Sequence, residues 1–355
     1  MNIGEFRARR LRSHRLSAPA ASVIETARHM LATQGQEFWG GRLALAARTT
    51  REPTLSEVDG AFERSGLVRS WTMRGTIHVI PADELGWVLG LTGERQHRGA
   101  ASIHRREGLD AEAFAVAEQV AVSALAGGNR LSRRELFDAF DRGGLSTAGQ
   151  RGYHLLVALS VRGLICQGPV VPREEGPTRE QFFVLTDEWV DAPVHPADPL
   201  AEFFVRYMLS HGPAGTADFA WWSGLPIGTA RRAAAAAASD SRLTRLDDDL
   251  WVATDLPRRH PSASVVIALP PFEEYFLSYA DRSVSVPPHH SPAVMTGGAG
   301  YPILLARGEV VATWSHSHAL ARRHLPPTAK WIVEGAVSEA EATAALERYR
   351  RFIEG

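Results

Sequence analysis

The sequence predicts an α+β protein: three tandem repeats of helices followed by a two-stranded hairpin, then a small β-rich unit at the C-terminus. Three observations predict it. At 355 residues the chain is too long for one small domain. The same succession of helical and alternating apolar segments occurs three times. Beyond about Arg259 the pattern turns β-rich, in "ASVVIALPP", "YPILLARGEVVATWS" and "AKWIVEGAV".

In the first repeat, helical patterns run from Ala21 to Ala32, near Arg42 to Ala47, and from Leu55 to Arg64 behind a capping Thr54. The strands "LVRSWTM" and "GTIHVI" follow, split at Arg74–Gly75, and Pro81 stops the second. The second repeat has a helix over "DAEAFAVAEQVAVSAL" and another opened by a capping box, Ser132 with Glu135. A third helix spans "STAGQRGYHLLVALSVRG", and "LICQGPVV" and "QFFVLTD" are its strands. Helix, helix, helix, hairpin is the winged-helix plan, with the third helix in the recognition position and the hairpin as the wing. After the Pro-rich linker "DAPVHPADP" the third repeat has helices over "LAEFFVRYMLSHG", "GTADFAWWSG" and "PIGTARRAAAAAAS", then strands in "RLTRLDDDLWVATD". A final helix opens with a second capping box, Ser338 and Glu341. The predicted division is 1–106, 107–196, 197–260 and 261–355, with the three winged helices forming a concave DNA-binding surface.

Composition narrows the class. Hydrophobic residues make up 45% and charged residues 22%, as in soluble globular proteins. The one cysteine, Cys166, excludes an internal disulfide and a zinc site of paired cysteines. No apolar run approaches the roughly 18 residues of a membrane span, and the basic N-terminus lacks a signal peptide's apolar stretch. A cytoplasmic protein is expected. Formal net charge is −1, so global charge does not advertise a nucleic-acid partner. The basic residues are almost all arginine, clustered at Arg7–Arg15, Arg95–Arg106, Arg231–Arg232 and Arg322–Arg323. Guanidinium forks suit phosphates, although such clusters are also ordinary solvated faces.

Four stretches carry a resemblance. They are Gln34-Gly35-Gln36 at a helix end, "WTMRGTIHVIP" with Arg74 to His78, "LPPFEEYFLSYADRS" from Leu269 to Ser283, and "LRSHRL" near the N-terminus. Together the chain resembles the AlkZ/YcaQ-type DNA glycosylases, built from tandem winged helices. Gln-x-Gln, rather than Gln-x-Asp, is similar to the AlkZ branch, which is associated with bulky adducts and interstrand crosslinks at guanine N7. Glu273 departs from the aspartate more usual there. The resemblance implies Gln34 and Gln36 as the catalytic pair, no metal or organic cofactor, double-stranded DNA with alkylated purines as partner, and a role in base excision repair and genotoxin self-resistance. The chain is expected to act as a monomer.

The chemistry agrees with a glutamine pair. An N7-alkylated guanine carries a positive charge that its departure neutralises, so the base is already a good leaving group. The transition state resembles an oxocarbenium ion. The protein need only position a water and stabilise charge on the sugar, which carboxamide oxygens can do. In an extended link residues i and i+2 point the same way, so Gln34 and Gln36 can aim at one atom. Gly35 lets backbone approach DNA closely. Such a pair predicts cationic alkylpurines as substrates and excludes uracil and plain mismatches. The sole lysine, Lys330, reads as a surface residue at a strand start. A monofunctional hydrolase leaving an abasic site follows, since strand-cleaving glycosylases use an amine.

Further residues carry alternatives. Arg12, Arg15, Arg74, His78, Arg231, Arg232, Glu273, Asp281 and Arg282 are candidate DNA contacts, with Asp281–Arg282 also readable as a local ion pair and Arg74–His78 as a structural hairpin. His316 and His318 have a metal-like spacing without a third ligand. His289 and His290 read as a loop. Phe219, Trp221 and Trp222 read as hydrophobic core rather than a base-stacking platform. The competing function is a non-enzymatic winged-helix DNA-binding protein, such as a transcriptional regulator, which would need neither the glutamine pair nor the Leu269–Ser283 run.

Overall fold

The computed structural model describes all residues except 174–176, 248, 262, 318, 320, 321 and 323. Contacts group the chain into two compact units. The first comprises Met1–Val58, Arg173–Pro177 and Leu200–Gly355; the second comprises Asp59–Pro172 and Thr178–Pro199. Winged-helix repeats are units of chain order and these two are units of contact, so the four-part division remains a reading of the sequence.

In the second unit the hairpin strands Leu67–Met73 and Thr76–Pro81 pair antiparallel. Arg74 and Gly75 join them with φ of 53° and 70°, the left-handed pair that a tight hairpin turn requires. Strand Leu67–Met73 also pairs with Ile165–Val170, which pairs with Gln181–Leu185. The two predicted wings thus belong to one sheet. Helices Leu85–Gly99, Ala111–Leu125, Arg133–Arg142 and Arg151–Val161 cover it. Trp71, Phe114, Phe140, Leu155, Leu159 and Phe183 form the core between them. A Cβ on Gly93 would lie 2.1 Å from the Val161 carbonyl oxygen, so only glycine lets those two backbones meet.

The capping boxes form as predicted at Ser132–Glu135 and Ser338–Glu341. Thr54 caps its helix reciprocally with Glu57. One helix starts later than its pattern implies, at Arg151. Asp141 accepts from both the amide and the hydroxyl of Thr147 at 2.8 Å, and Gly149 is left-handed. A side chain has captured backbone that the helix would otherwise use.

In the first unit, strands Val266–Leu269, Ile303–Ala306, Glu309–Trp314 and Ala329–Trp331 form an antiparallel sheet in that order. Helix Glu339–Glu354 packs on strand Val266–Leu269. Leu16, Leu269, Tyr275, Phe276, Ile303 and Val310 fill the core beneath it. Helices Pro199–His211, Thr216–Ser223 and Ile227–Ala236 precede a short hairpin, Leu243–Asp247 with Leu250–Ala253. Among the described residues no helix is long and apolar enough to cross a membrane.

Candidate active site

The Gln34–Gln36 link is short and sharply bent. Helix Val23–Met30 opens on Ser22, whose hydroxyl accepts from the Glu25 amide, and ends at Leu31, with φ 62° and ψ −53°. A non-glycine residue holds that conformation only where its surroundings fix it. Thr33–Gln34 is then extended, and helix Phe38–Ala46 begins two residues after Gln36. Gln34 is 8% exposed, whereas Gln36 is exposed. The two carboxamides therefore differ: one is lodged in the protein and the other meets solvent.

What holds Gln34 is a carboxylate from a segment some 240 residues later. Its backbone N–H donates to Glu274 Oε1 at 2.7 Å. That segment is built by its own sequence. Pro270 and Pro271 bar a helix until Phe272, which sits at φ 59°. Glu273 then caps the single turn Glu274–Leu277, accepting from the Tyr275 amide at 3.1 Å. Successive residues of a turn diverge, so the two neighbouring carboxylates serve different partners. Glu273 pairs with the fully buried Arg48. Besides Gln34, Glu274 receives the Trp222 indole N–H at 3.3 Å and the Ser278 hydroxyl. His211 Nε2 approaches Glu274 Oε2 at 3.6 Å, within ion-pair range but too far for a hydrogen bond.

Behind these carboxylates lies a buried polar layer. Arg48 donates to the Ala44 carbonyl and approaches His14 Nδ1 at 3.5 Å. His14 Nε2 meets the Tyr279 hydroxyl at 2.7 Å, and that hydroxyl donates to the His211 carbonyl at 2.6 Å. The Arg10 guanidinium lies 3.6 Å over the Tyr279 ring. Burial, with added repulsion from His211, Arg48 and Arg10, drives His14 well below the usual imidazole pKa. Burial also lowers His211, outweighing the opposite pull of Glu274. His29 falls to about 3, mainly by burial and then by the Arg15 charge. Burial raises the Tyr207, Tyr275 and Tyr279 phenols. The layer thus holds neutral imidazoles and phenols around Glu273, Glu274 and two arginines, Arg10 and Arg48.

Several predicted site residues lie elsewhere or act differently. Glu273 is buried against Arg48, which corrects its reading as a DNA contact: its carboxylate has no route to solvent. His78 is corrected for the same reason, being fully buried with Nδ1 2.9 Å from the Thr72 hydroxyl. It belongs, with Arg74 at the hairpin turn, to the second unit. Asp281 accepts from the Ser283 amide at 2.8 Å, and this backbone hydrogen bond holds its carboxyl below the usual range. Arg282 lies over Trp221 at 5.3 Å and Phe276 at 4.8 Å. Arg12 is half-buried, and Arg15 sits at φ 59° with its pKa lowered by burial. Arg231 and Arg232 are exposed on helix Ile227–Ala236.

Phe219 and Trp222 are core, as predicted, but Trp221 is 46% exposed, its indole N–H donating to the Leu277 carbonyl at 2.8 Å and its ring lying under Arg282. The helix turns Trp221 outward because Trp222 occupies the inward face. His316 stacks on Trp39, ring centres 5.2 Å apart, in the first turn after Gln36. His318 lies outside the described residues. His289 and His290 form a short 3-10 turn with rings 4.0 Å apart. Lys330 is exposed in strand Ala329–Trp331. Cys166 is buried, and burial pushes its thiol up to about 12.

Sequence reasoning missed Glu274, Arg48, His211 and the tyrosines. Glu274 and the tyrosines stood inside quoted motifs, as did His14 in "LRSHRL", but no spacing rule links them to Gln34. A family described as DNA glycosylase AlkZ-like matches residues 27–352. No curated protein matches the chain. Among solved structures the fold is similar to the Streptomyces sahachiroi DNA glycosylase AlkZ, with a TM-score of 0.76 and 21% sequence identity over 98% of this chain and 96% of that one. The match over nearly the whole length means that this chain belongs to the AlkZ-like DNA glycosylase family.

Proposed function

We propose that this DNA glycosylase hydrolyses the N-glycosidic bond of cationic N7-alkylguanine, with Gln34 and Gln36 as the catalytic pair. The observation that carries the proposal is the short Gln34-Gly35-Gln36 link, with the Gln34 backbone held by Glu274, Gln34 buried and Gln36 exposed. Water adds its oxygen to deoxyribose C1′ and loses a proton to solvent. The electron pair of the C1′–N9 bond passes into the purine and cancels its positive charge. The neutral base leaves and an abasic deoxyribose remains. The exposed Gln36 accepts a hydrogen bond from the water, and the Gln34 carboxamide oxygen faces the sugar as positive charge develops. Neither amide can take a proton as a carboxylate would, so the leaving group must arrive activated. Bulky adducts and interstrand crosslinks at the same nitrogen fall within this chemistry, because the charge resides in the ring whatever the alkyl group. Lys330 offers no Schiff-base route in this reading, so the product strand stays intact.

The test uses a duplex carrying N7-methylguanine and follows free base. We expect release by the native enzyme, and a loss of about 100-fold or more in Gln34→Ala and Gln36→Ala with duplex binding retained. Binding without release from any alkylated duplex, a crosslinked one included, would refute the substrate assignment.

A further inference from the structure

We propose that Glu274 is a positioning residue for the glycosylase reaction: its carboxylate fixes the backbone of Gln34 and thereby the direction of the Gln34 carboxamide. The inference rests on the role given to Gln34 above.

Each side of the contact is conformationally expensive. Leu31 and Phe272 are both non-glycine residues at φ near 60°, one on each segment that meets at the Gln34 N–H···Oε1 hydrogen bond. Positive φ costs a bulky L-residue about 1 kcal/mol or more, and Leu31, with ψ −53°, sits in a tight turn that the Ala32 N–H closes on the Met30 carbonyl at 2.8 Å. Between these two strained bends runs the buried 2.7 Å hydrogen bond from the Gln34 N–H to the Glu274 carboxylate, of the kind roughly twice as strong as a neutral one.

The carboxylate is itself aimed. Its side chain is 1% exposed. Oε1 faces Gln34, and Oε2 takes the Trp222 indole and the Ser278 hydroxyl. His211 closes the remaining side. Its Nδ1 lies 2.8 Å from the Ser210 hydroxyl, and its ring stacks on Tyr207 with centres 4.7 Å apart, so the imidazole cannot swing away. Tyr207 in turn donates to the Ser278 carbonyl at 2.8 Å, tying helix Pro199–His211 to the Glu274 turn. Ser278 is therefore held at both its hydroxyl and its carbonyl. Three elements, helices Pro199–His211 and Thr216–Ser223 and the turn Glu274–Leu277, converge on one carboxylate whose Oε1 reaches the glutamine link. A carboxamide that orients water must be held within about half an ångström of its productive place.

The decisive variant is Glu274→Asp, which keeps the charge but shortens the reach by one methylene, so Oε1 no longer meets the Gln34 amide. On N7-methylguanine duplex we expect single-turnover base release to fall about 30- to 100-fold, with duplex affinity within about twofold of native. Glu274→Gln combined with Trp222→Phe keeps an acceptor for the Gln34 amide and removes the indole N–H that the new NH2 would oppose, leaving the Ser278 hydroxyl to accept from it, and should restore release to within about fivefold of native. A role in stability alone predicts the opposite pattern: release following the melting temperature, with no rescue by glutamine. Should Glu274→Asp fail to fold, the pair Trp222→Phe and Ser278→Ala removes the two donors that aim Oε2, and release should drop about tenfold at unchanged affinity. Native-like release by a folded Glu274→Asp enzyme would overturn the proposal, as would equal losses in Glu274→Asp and the Glu274→Gln/Trp222→Phe double variant. Absence of release by the native enzyme would instead overturn the substrate reading, so the two failures are distinguishable.

Discussion

The pair Arg48–Glu273 offers the sharpest test of how the site is supported. Arg48 is fully buried and Glu273 is 3% exposed. Replacing Glu273 by leucine leaves a fully buried guanidinium with the Ala44 carbonyl and the His14 ring as its remaining hydrogen-bond partners among the described residues. Breaking one side of a buried pair costs about 3–5 kcal/mol, because the surviving charge is desolvated and unmatched. Replacing both, as Arg48→Met with Glu273→Leu, removes the stranded charge, and most of that loss should return. With a urea slope of about 3 kcal/mol/M, Glu273→Leu should lower the unfolding midpoint by about 1–1.7 M, and the double variant should lie within about 0.5 M of native. Urea titration followed by tryptophan fluorescence reads the shift, since Trp39, Trp222 and Trp314 all lie in the same unit. A single substitution costing less than about 1 kcal/mol, or a double variant no better than Glu273→Leu, would refute the argument that this pair must stand or fall together.

Two further outcomes follow from the same structure. His29 has its pKa depressed to about 3 by burial and Arg15, so the folded state binds its proton less readily than the unfolded state. Its contribution is complete above about pH 6.5 and is lost as pH falls toward 3, amounting to about 2 kcal/mol at pH 5. Denaturant titrations at pH 5 and 7 should show that difference shrink in His29→Gln; an unchanged pH dependence would contradict the assignment. Arg231 and Arg232 are exposed on the third helix of the third repeat. If each contacts a phosphate, alanine substitution makes the log–log salt dependence of duplex binding shallower by about 0.9 per residue, and slopes equal to native would remove them from the DNA surface.

The sequence by itself determined the local architecture. Capping boxes at Ser132 and Ser338, the Arg74–Gly75 turn and the apolar periods of the helices are short-range facts, and each appears where its residues call for it. Even the delayed start at Arg151 has a local cause in Asp141, although it took the geometry to see which hydrogen bond won. The glutamine pair was also visible, because an unusual motif at a helix end stands out without any partner.

What only the tertiary structure decided is which side chains are inside and what they touch. Glu273 and Glu274 are adjacent in the chain, yet one neutralises Arg48 and the other holds the Gln34 backbone. Trp221 and Trp222 are adjacent too, yet one is exposed and the other fully buried. His78 lies in a matched motif and is nonetheless sealed from solvent. The physical reason is the same in each case. Capping and turn energies act over three or four residues, but the burial of a charge is settled by segments up to 240 residues away, and no periodicity in the chain encodes that meeting.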